Sequence, residues 1–172
     1  MASTIRKGEI QIGEKLPEIE IMTAPSTKVK ITDLFKGKRG ILFGLPGAFT
    51  PTCSNTHLPE FVRDHAKWVE LGYEIICCVS VNDAFVMEAW GKLHQVEGKV
   101  VMISDMNATL TRAIGLEIDL TDKLGSIRSK RYSMEVNDNL ITSIHVESSL
   151  GATGCSTSSA MLGSLSQDMI PL

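Results

Sequence analysis

The chain has 172 residues, 43% of them hydrophobic and 22% charged, with a formal net charge of -3. That is enough apolar material for one sizeable core, so the sequence reads as a single domain over residues 1–172. No basic run marks a surface for nucleic acid or anionic membranes, and no stretch is apolar for long enough to cross a bilayer. The opening MASTIRKGEIQIGEK lacks the apolar centre of a signal peptide, and the C-terminal Ile170-Pro171-Leu172 is not a peroxisomal address, so the cytoplasm is the expected compartment. A mitochondrial or other organellar location fits equally if a presequence has been removed.

In chain order, the first signal is an alternation of apolar and polar residues. Ile10 and Ile12, then Ile19 and Ile21, then Val29 and Ile31 after the turn-forming Ala24-Pro25-Ser26 predict strands arranged as an N-terminal β-hairpin extension. Thr32 or Asp33 is an N-cap for a short helical turn ending at Gly37. Gly40–Leu45 is a short apolar run between turn residues, the pattern of a fully buried strand. A helix follows from the Pro51–Cys53 region to about Leu71, with Gly72 as its stop and Pro59 predicted to kink it. Glu74–Val81 and Lys99–Ile103 are further buried strands. Between them, Asp83 caps a helix over AFVMEAWGKLHQV. Asn107 is read as the cap of ATLTRAIG, closed by Gly115. Residues 116–130 look irregular. Tyr132, Met134 and Val136 then alternate with polar residues, and Asn137-Asp138-Asn139 turns the chain into Leu140–Val146, a β-hairpin. Ser148–Gly154 is a small-residue loop, and Ser156–Leu165 is a last helix that Thr157 or Ser158 caps. Alternating strands and helices ending in a hairpin predict an α/β thioredoxin fold, with a mixed central sheet and flanking helices.

Chemistry concentrates where the Gly40–Leu45 strand meets the helix that follows. Cys53 sits there, at a helix start whose first N–H groups have no partner and whose dipole end is positive. An anion is stabilised in such a place, and for cysteine the anion is the nucleophilic thiolate. The other cysteines, Cys77, Cys78 and Cys155, are too few and too scattered for a disulfide scaffold. With no C-x-x-C pair and four dispersed histidines, no metal site is expected, and no other cofactor is implied.

Pro46, Thr50 and Cys53 at spacing P-x-x-x-T-x-x-C resemble the peroxidatic signature of peroxiredoxins. The longer string PGAFTPTCSNTHLPEF is similar to the atypical two-cysteine, type-five subfamily and to the plant type II class. The likeness continues through VSVNDAFVMEAW (79–90) and SKRYSMEV (129–136). It implies a thiol-dependent peroxidase reducing hydrogen peroxide and organic hydroperoxides, recycled by thioredoxin or by glutaredoxin/glutathione, with a homodimer as a plausible assembly. In that scheme Cys53 attacks, and Pro46 shields the sulfur from water. Thr50 accepts a hydrogen bond from the peroxide while donating to the thiolate, and backbone N–H groups between Ala48 and Cys53 supply further donors. Six arginines compete for the role of cation on composition alone, and the family pattern selects Arg131 in KRYS. The resemblance offers two thiols to resolve the sulfenic acid on Cys53: Cys155, in the Gly/Ser/Thr loop GATGCSTSS, and Cys78, within an apolar strand.

Two rival readings differ in class. His57, four residues after Cys53 on the same helical face, invites a Cys/His hydrolase. It lacks an evident orienting partner, and reads instead as a structural residue near the helix start. A thioredoxin-fold redox sensor or binding module without turnover would also use an oxidisable Cys53.

Overall fold

A computed structural model describes residues 6–168; residues 1–5 and 169–172, which include the Ile170-Pro171-Leu172 end, lie outside it. In chain order the elements are β1 (Glu20–Ala24), β2 (Thr27–Lys30), α1 (Ile31–Phe35), β3 (Arg39–Gly44), a π-helical turn (Cys53–His57), α2 (Leu58–Arg63), α3 (His65–Glu70), β4 (Ile75–Ser80), α4 (Ala84–Leu93), β5 (Val101–Ser104), α5 (Thr109–Ala113), β6 (Glu117–Leu120), α6 (Thr121–Leu124), β7 (Ser126–Ser129), β8 (Tyr132–Asn137), β9 (Leu140–Val146) and α7 (Ser158–Asp168). Seven strands form one mixed sheet, ordered β2-β1-β5-β4-β3-β8-β9, and β6 and β7 pair separately. The continuous apolar runs became its parallel centre, β3, β4 and β5, and the predicted hairpin β8/β9 was added antiparallel to β3. This is the thioredoxin-like fold of the sequence reading. Among the described residues no helix is long and apolar enough to cross a membrane.

Register decides what each face of the sheet carries. Leu42 stands opposite Cys77 and Met134, while Phe43 stands opposite Cys78 and Ser133. Side chains alternate along a strand, so these two sets point to opposite faces. Leu42, Cys77, Val79, Tyr132 and Met134 fill one apolar cluster. Ile41, Phe43 and Cys78 fill the other, with Cys53, Phe61, Trp68 and Trp90 from the covering helices. Gly44 ends β3 beneath the Tyr132 ring, where an added Cβ would overlap ring carbons and the residue therefore has to be glycine.

Several local expectations are corrected. Ile10 and Ile12 do not lie in a strand: Ile10 is buried and bonded to the Ile114 carbonyl, whereas Ile12 is 62% exposed. The β1/β2 hairpin is no appendage, because β1 pairs with β5 and so extends the main sheet. Helix α1 already contains Thr32 and Asp33, and Lys30 precedes it with no side-chain cap. Helix α5 is capped by Asp105, not Asn107; its carboxylate accepts from the Leu110 and Thr111 N–H groups, and left-handed Ala108 turns the chain between them. Residues 116–130, read as irregular, hold β6, α6 and β7; the pairing is between short half-exposed strands whose alternation is too brief to stand out. The helix after Cys53 breaks at Asp64 (φ -92°, ψ 6°), with the π-helical turn lying before Pro59. Proline offers no N–H to the preceding turn, which widens so that Leu58 N–H bonds back to the Cys53 carbonyl. The expected caps hold at the other helices: Asp83 accepts from Val86 N–H at 3.0 Å, and Thr157 from Ala160 N–H at 3.3 Å.

Candidate active site

The loop after β3 carries the first site residues. Pro46 and Ala48 are buried, Phe49 adopts a left-handed conformation (φ 62°) with its ring 55% exposed, and Thr50 is half-buried. The helix begins at Pro51, whose missing N–H is no loss at a first turn. Ser54 N–H returns to the Thr50 carbonyl, leaving the Thr52 and Cys53 N–H groups as the open donors of that turn. Cys53 itself is fully buried in the helix-side cluster.

The loop is held from two directions that the sequence did not single out. Ala48 N–H donates to Asn82 Oδ1 at 3.0 Å, and Ser80 Oγ donates to the same oxygen at 2.6 Å. From β7, Arg128 donates to the Pro46 carbonyl at 3.4 Å, to the Leu124 carbonyl at 3.0 Å and to Ser126 Oγ at 2.9 Å. The Ala48 amide, expected to face substrate, is therefore already engaged. Thr50 is also corrected in part. Its hydroxyl donates to the Gly47 carbonyl at 2.7 Å. A hydroxyl has one proton, so toward a ligand Thr50 is an acceptor and does not donate to Cys53 in this arrangement.

Arg131 precedes β8 and shares the Ser133 side of the sheet. A strand arginine opposite an apolar face looks exposed in sequence, but the helices cover this face and only 3% of Arg131 is accessible. Its Nη2 lies 3.4 Å from Cys53 Sγ and donates to the Leu150 carbonyl at 3.2 Å, while Nη1 is 3.1 Å from His57 Nδ1. Its Nε, though buried, finds no partner among the described residues. A guanidinium is always charged in proteins and has only donors to offer. The site thus pairs a buried sulfur with a buried cation that retains unused N–H groups.

His57 was read as structural, and the structure puts it in direct contact with the cation. Its Nε2 lies 3.1 Å from the Ser156 carbonyl. A carbonyl can only accept, so Nε2 carries the proton and Nδ1 receives the one from Arg131. Burial first, and Arg131 second, lower the imidazole pKa to about 3, which keeps it neutral and fixes that tautomer. The ring packs at a tilt against Phe43 (4.9 Å) and Phe61 (5.9 Å), which stack on each other at 4.2 Å. The hydrolase reading needs His57 to take a proton from Cys53, but Nδ1 is bound to Arg131 and Nε2 faces Ser156. An i,i+4 relation in the sequence could not show which ring edge would be occupied.

The two thiols offered as resolvers differ sharply. Cys78 is fully buried in β4, in the same cluster as Cys53, and burial, then the neighbouring Cys53 and Cys77, push its thiol well up. Cys155 is half-buried outside the sheet, but its loop is not free: the N–H groups of Gly154, Cys155 and Ser156 all donate to the Glu147 carboxylate. Burial and then Glu147 raise the Cys155 thiol to about 11. All four cysteines are free thiols in this structure. Among the described residues, no three His, Cys, Asp or Glu side chains cluster as metal ligands would.

The Redoxin family model matches residues 11–160. Peroxiredoxin-2E, chloroplastic, of Arabidopsis thaliana is 40% identical over 172 residues, covering 95% of this chain and 73% of the relative. Among solved structures, peroxiredoxin 5 from Alvinella pompejana superimposes with a TM-score of 0.82 at 40% identity, covering 92% of this chain and 99% of the other. Reduced Prx3 in complex with H2O2 from Vibrio vulnificus gives 0.86 at 36% identity, covering 91% and 99%.

Proposed function

The chain belongs to the redoxin family as a type II/type-five peroxiredoxin and is a thiol-dependent peroxidase, and from that premise we propose that Cys53 is its peroxide-attacking nucleophile with Arg131 as the charge-stabilising partner. The observation that carries this assignment is the buried Arg131 Nη2 at 3.4 Å from the Cys53 sulfur, with Arg131 Nε–H left open. The Cys53 thiolate attacks one peroxide oxygen, the S–O bond forms as the O–O bond breaks, and the departing oxygen leaves as water or an alcohol after taking a proton. Arg131 stabilises the charge growing on that oxygen, where burial makes a fixed cation count for more than it would in water. Thr50 Oγ1 accepts from the peroxide hydroxyl and so orients it. Pro46 walls the sulfur from solvent, and the Thr52 and Cys53 N–H groups supply further donors. Cys53→Ser abolishes peroxide turnover in a coupled thioredoxin assay; retained turnover would refute the assignment.

Cys155 is the favoured resolving thiol. Cys155 stands in a loop that can approach the buried Cys53 if the first turn of the Cys53 helix melts, whereas Cys78 would have to leave the central strand β4. Resolution by Cys155 makes thioredoxin a fitting reductant, with glutaredoxin/glutathione as the alternative. Peptide mapping after one equivalent of peroxide tests the choice, since a Cys53–Cys78 bond would overturn it. A homodimer through the site's rim fits the exposed Phe49 and Phe85, the latter 71% accessible at the start of α4. Dissociation of the dimer in Phe85→Asp, read by sedimentation, supports that interface. The chloroplastic relatives from Arabidopsis thaliana and Oryza sativa favour an organelle over the cytoplasm, and fractionation of cells expressing the protein decides between them. A redox sensor without cycling is not favoured by these relatives, and sustained turnover excludes it.

A further inference from the structure

Glu147 follows β9, and its N–H donates to the Arg131 carbonyl at 2.9 Å, so its backbone is tied to the residue that contacts Cys53. Its carboxylate gathers four donors from the segment containing Cys155: the N–H groups of Gly154 (3.1 Å), Cys155 (2.9 Å) and Ser156 (2.8 Å), and the Ser156 hydroxyl (2.7 Å). Burial alone would raise this carboxyl, but the donors outweigh it and hold the group at about 2, so it is ionised throughout the working range. The Ser156 carbonyl is held in turn by His57, from the turn that begins at Cys53.

Resolution by Cys155 needs two things that this arrangement opposes. The thiol must move, because the bonded segment holds it outside the sheet. It must also lose its proton, since the thiolate is the attacking species. Burial and the Glu147 charge and hydrogen bond put the thiol at about 11. Of the other groups facing this segment, His57 is neutral and Arg131 turns its two Nη atoms to His57, Leu150 and Cys53.

We propose that Glu147 is a brake on resolution: by clasping the Gly154–Ser156 amides beside Cys155 it delays disulfide formation and lengthens the life of the Cys53 sulfenic acid. The inference rests on the reading of Cys155 as the resolving thiol. In the braked step, Cys155 Sγ bonds to Cys53 Sγ, the Cys53 S–O bond breaks, and the leaving hydroxide takes the Cys155 proton as water. Glu147 touches neither peroxide nor the reacting sulfur of Cys53, so it is a positioning residue. A longer-lived sulfenic acid gives an external small thiol time to intercept it and exposes it to a second peroxide.

The test uses the full chain and two variants. Glu147→Gln keeps the side-chain length and removes the charge, while Ser156→Ala removes one donor and keeps the charge. Stopped-flow fluorescence separates Cys53 oxidation from disulfide formation, and quenched peptide mapping identifies the bond. In Glu147→Gln the oxidation rate stays at the wild-type value, the Cys53–Cys155 bond forms about tenfold faster, and the pH midpoint of that step moves down by about one unit. Ser156→Ala gives a smaller acceleration at an unchanged midpoint. Less sulfinic acid accumulates in Glu147→Gln at high peroxide. A Cys53–Cys155 bond forming in Glu147→Gln at wild-type rate and midpoint overturns the brake alone. If neither protein forms that bond, the assignment of Cys155 falls and the brake falls with it.

Discussion

Holding His57 neutral against Arg131 makes the protein acid-sensitive in a range where few other groups act. In the native protein His57 is lowered to about 3, against 6.5 for the free side chain, with burial the larger cause and Arg131 the second. The unfolded chain therefore binds this proton first. Stability from His57 is fully present above about pH 6.5 and is lost as pH falls toward about 3. At about 1.4 kcal/mol per unit, the loss is about 2 kcal/mol at pH 5 and approaches about 5 kcal/mol below pH 3. Glu147 and Asp64, held at about 2 by their donors, lose their contributions as pH falls from the ordinary carboxylate range toward about 2. His94 is lowered by burial in the same direction as His57, and Asp105, raised by burial, acts in the opposite direction. A His57→Gln variant isolates the effect, because these groups remain in both proteins. Glutamine can accept from Arg131 and donate to Ser156 without binding a proton. The assay is urea unfolding at pH 7.5 and pH 5.0, followed through Trp68 and Trp90, both fully buried. Wild type loses about 2 kcal/mol more than His57→Gln between the two conditions. Equal losses in the two proteins would refute the claim that the native imidazole is held neutral by its surroundings.

Replacing Arg131 by Lys keeps a charge but loses the planar fork that reaches Cys53, His57 and Leu150 together; the rate of Cys53 oxidation falls about 10²- to 10³-fold in stopped flow. A rate within threefold of wild type would contradict the role given to the fork. Thr50→Val removes the acceptor while keeping the shape, and slows the same step about a hundredfold, with thermal stability little changed. Gly44→Ala forces a methyl against the Tyr132 ring. It costs about 2–3 kcal/mol and lowers Tm by about 5–10 °C, and an unchanged Tm would show that the strand end yields easily.

What could be read along the chain was whatever local physics dictates. The apolar runs around Phe43 and Cys78 had to be buried strands, the alternation at Tyr132, Met134 and Val136 had to be a half of a hairpin, and Asp83 had to cap. The spacing of Pro46, Thr50 and Cys53 was equally visible, because all three lie on one short loop and the helix start beyond it. The β6/β7 pair escaped because a strand of four residues has little periodicity to show, and its partner fixes it. Asp105 outcompeted Asn107 as a cap only because Ala108 takes a left-handed turn.

Arg131, His57, Arg128, Asn82 and Glu147 belong to a different order of information. Each acts through a partner at least 34 residues away in sequence, except for Glu147, which reaches its loop across eight. The residues themselves determined that a cysteine stands at a helix start. That its sulfur meets one guanidinium among six, that a histidine on its own helix holds that guanidinium, and that the Cys155 loop is clasped were decided by packing. Sheet register and the covering helices set which charged groups lose water together, and no linear spacing encodes that.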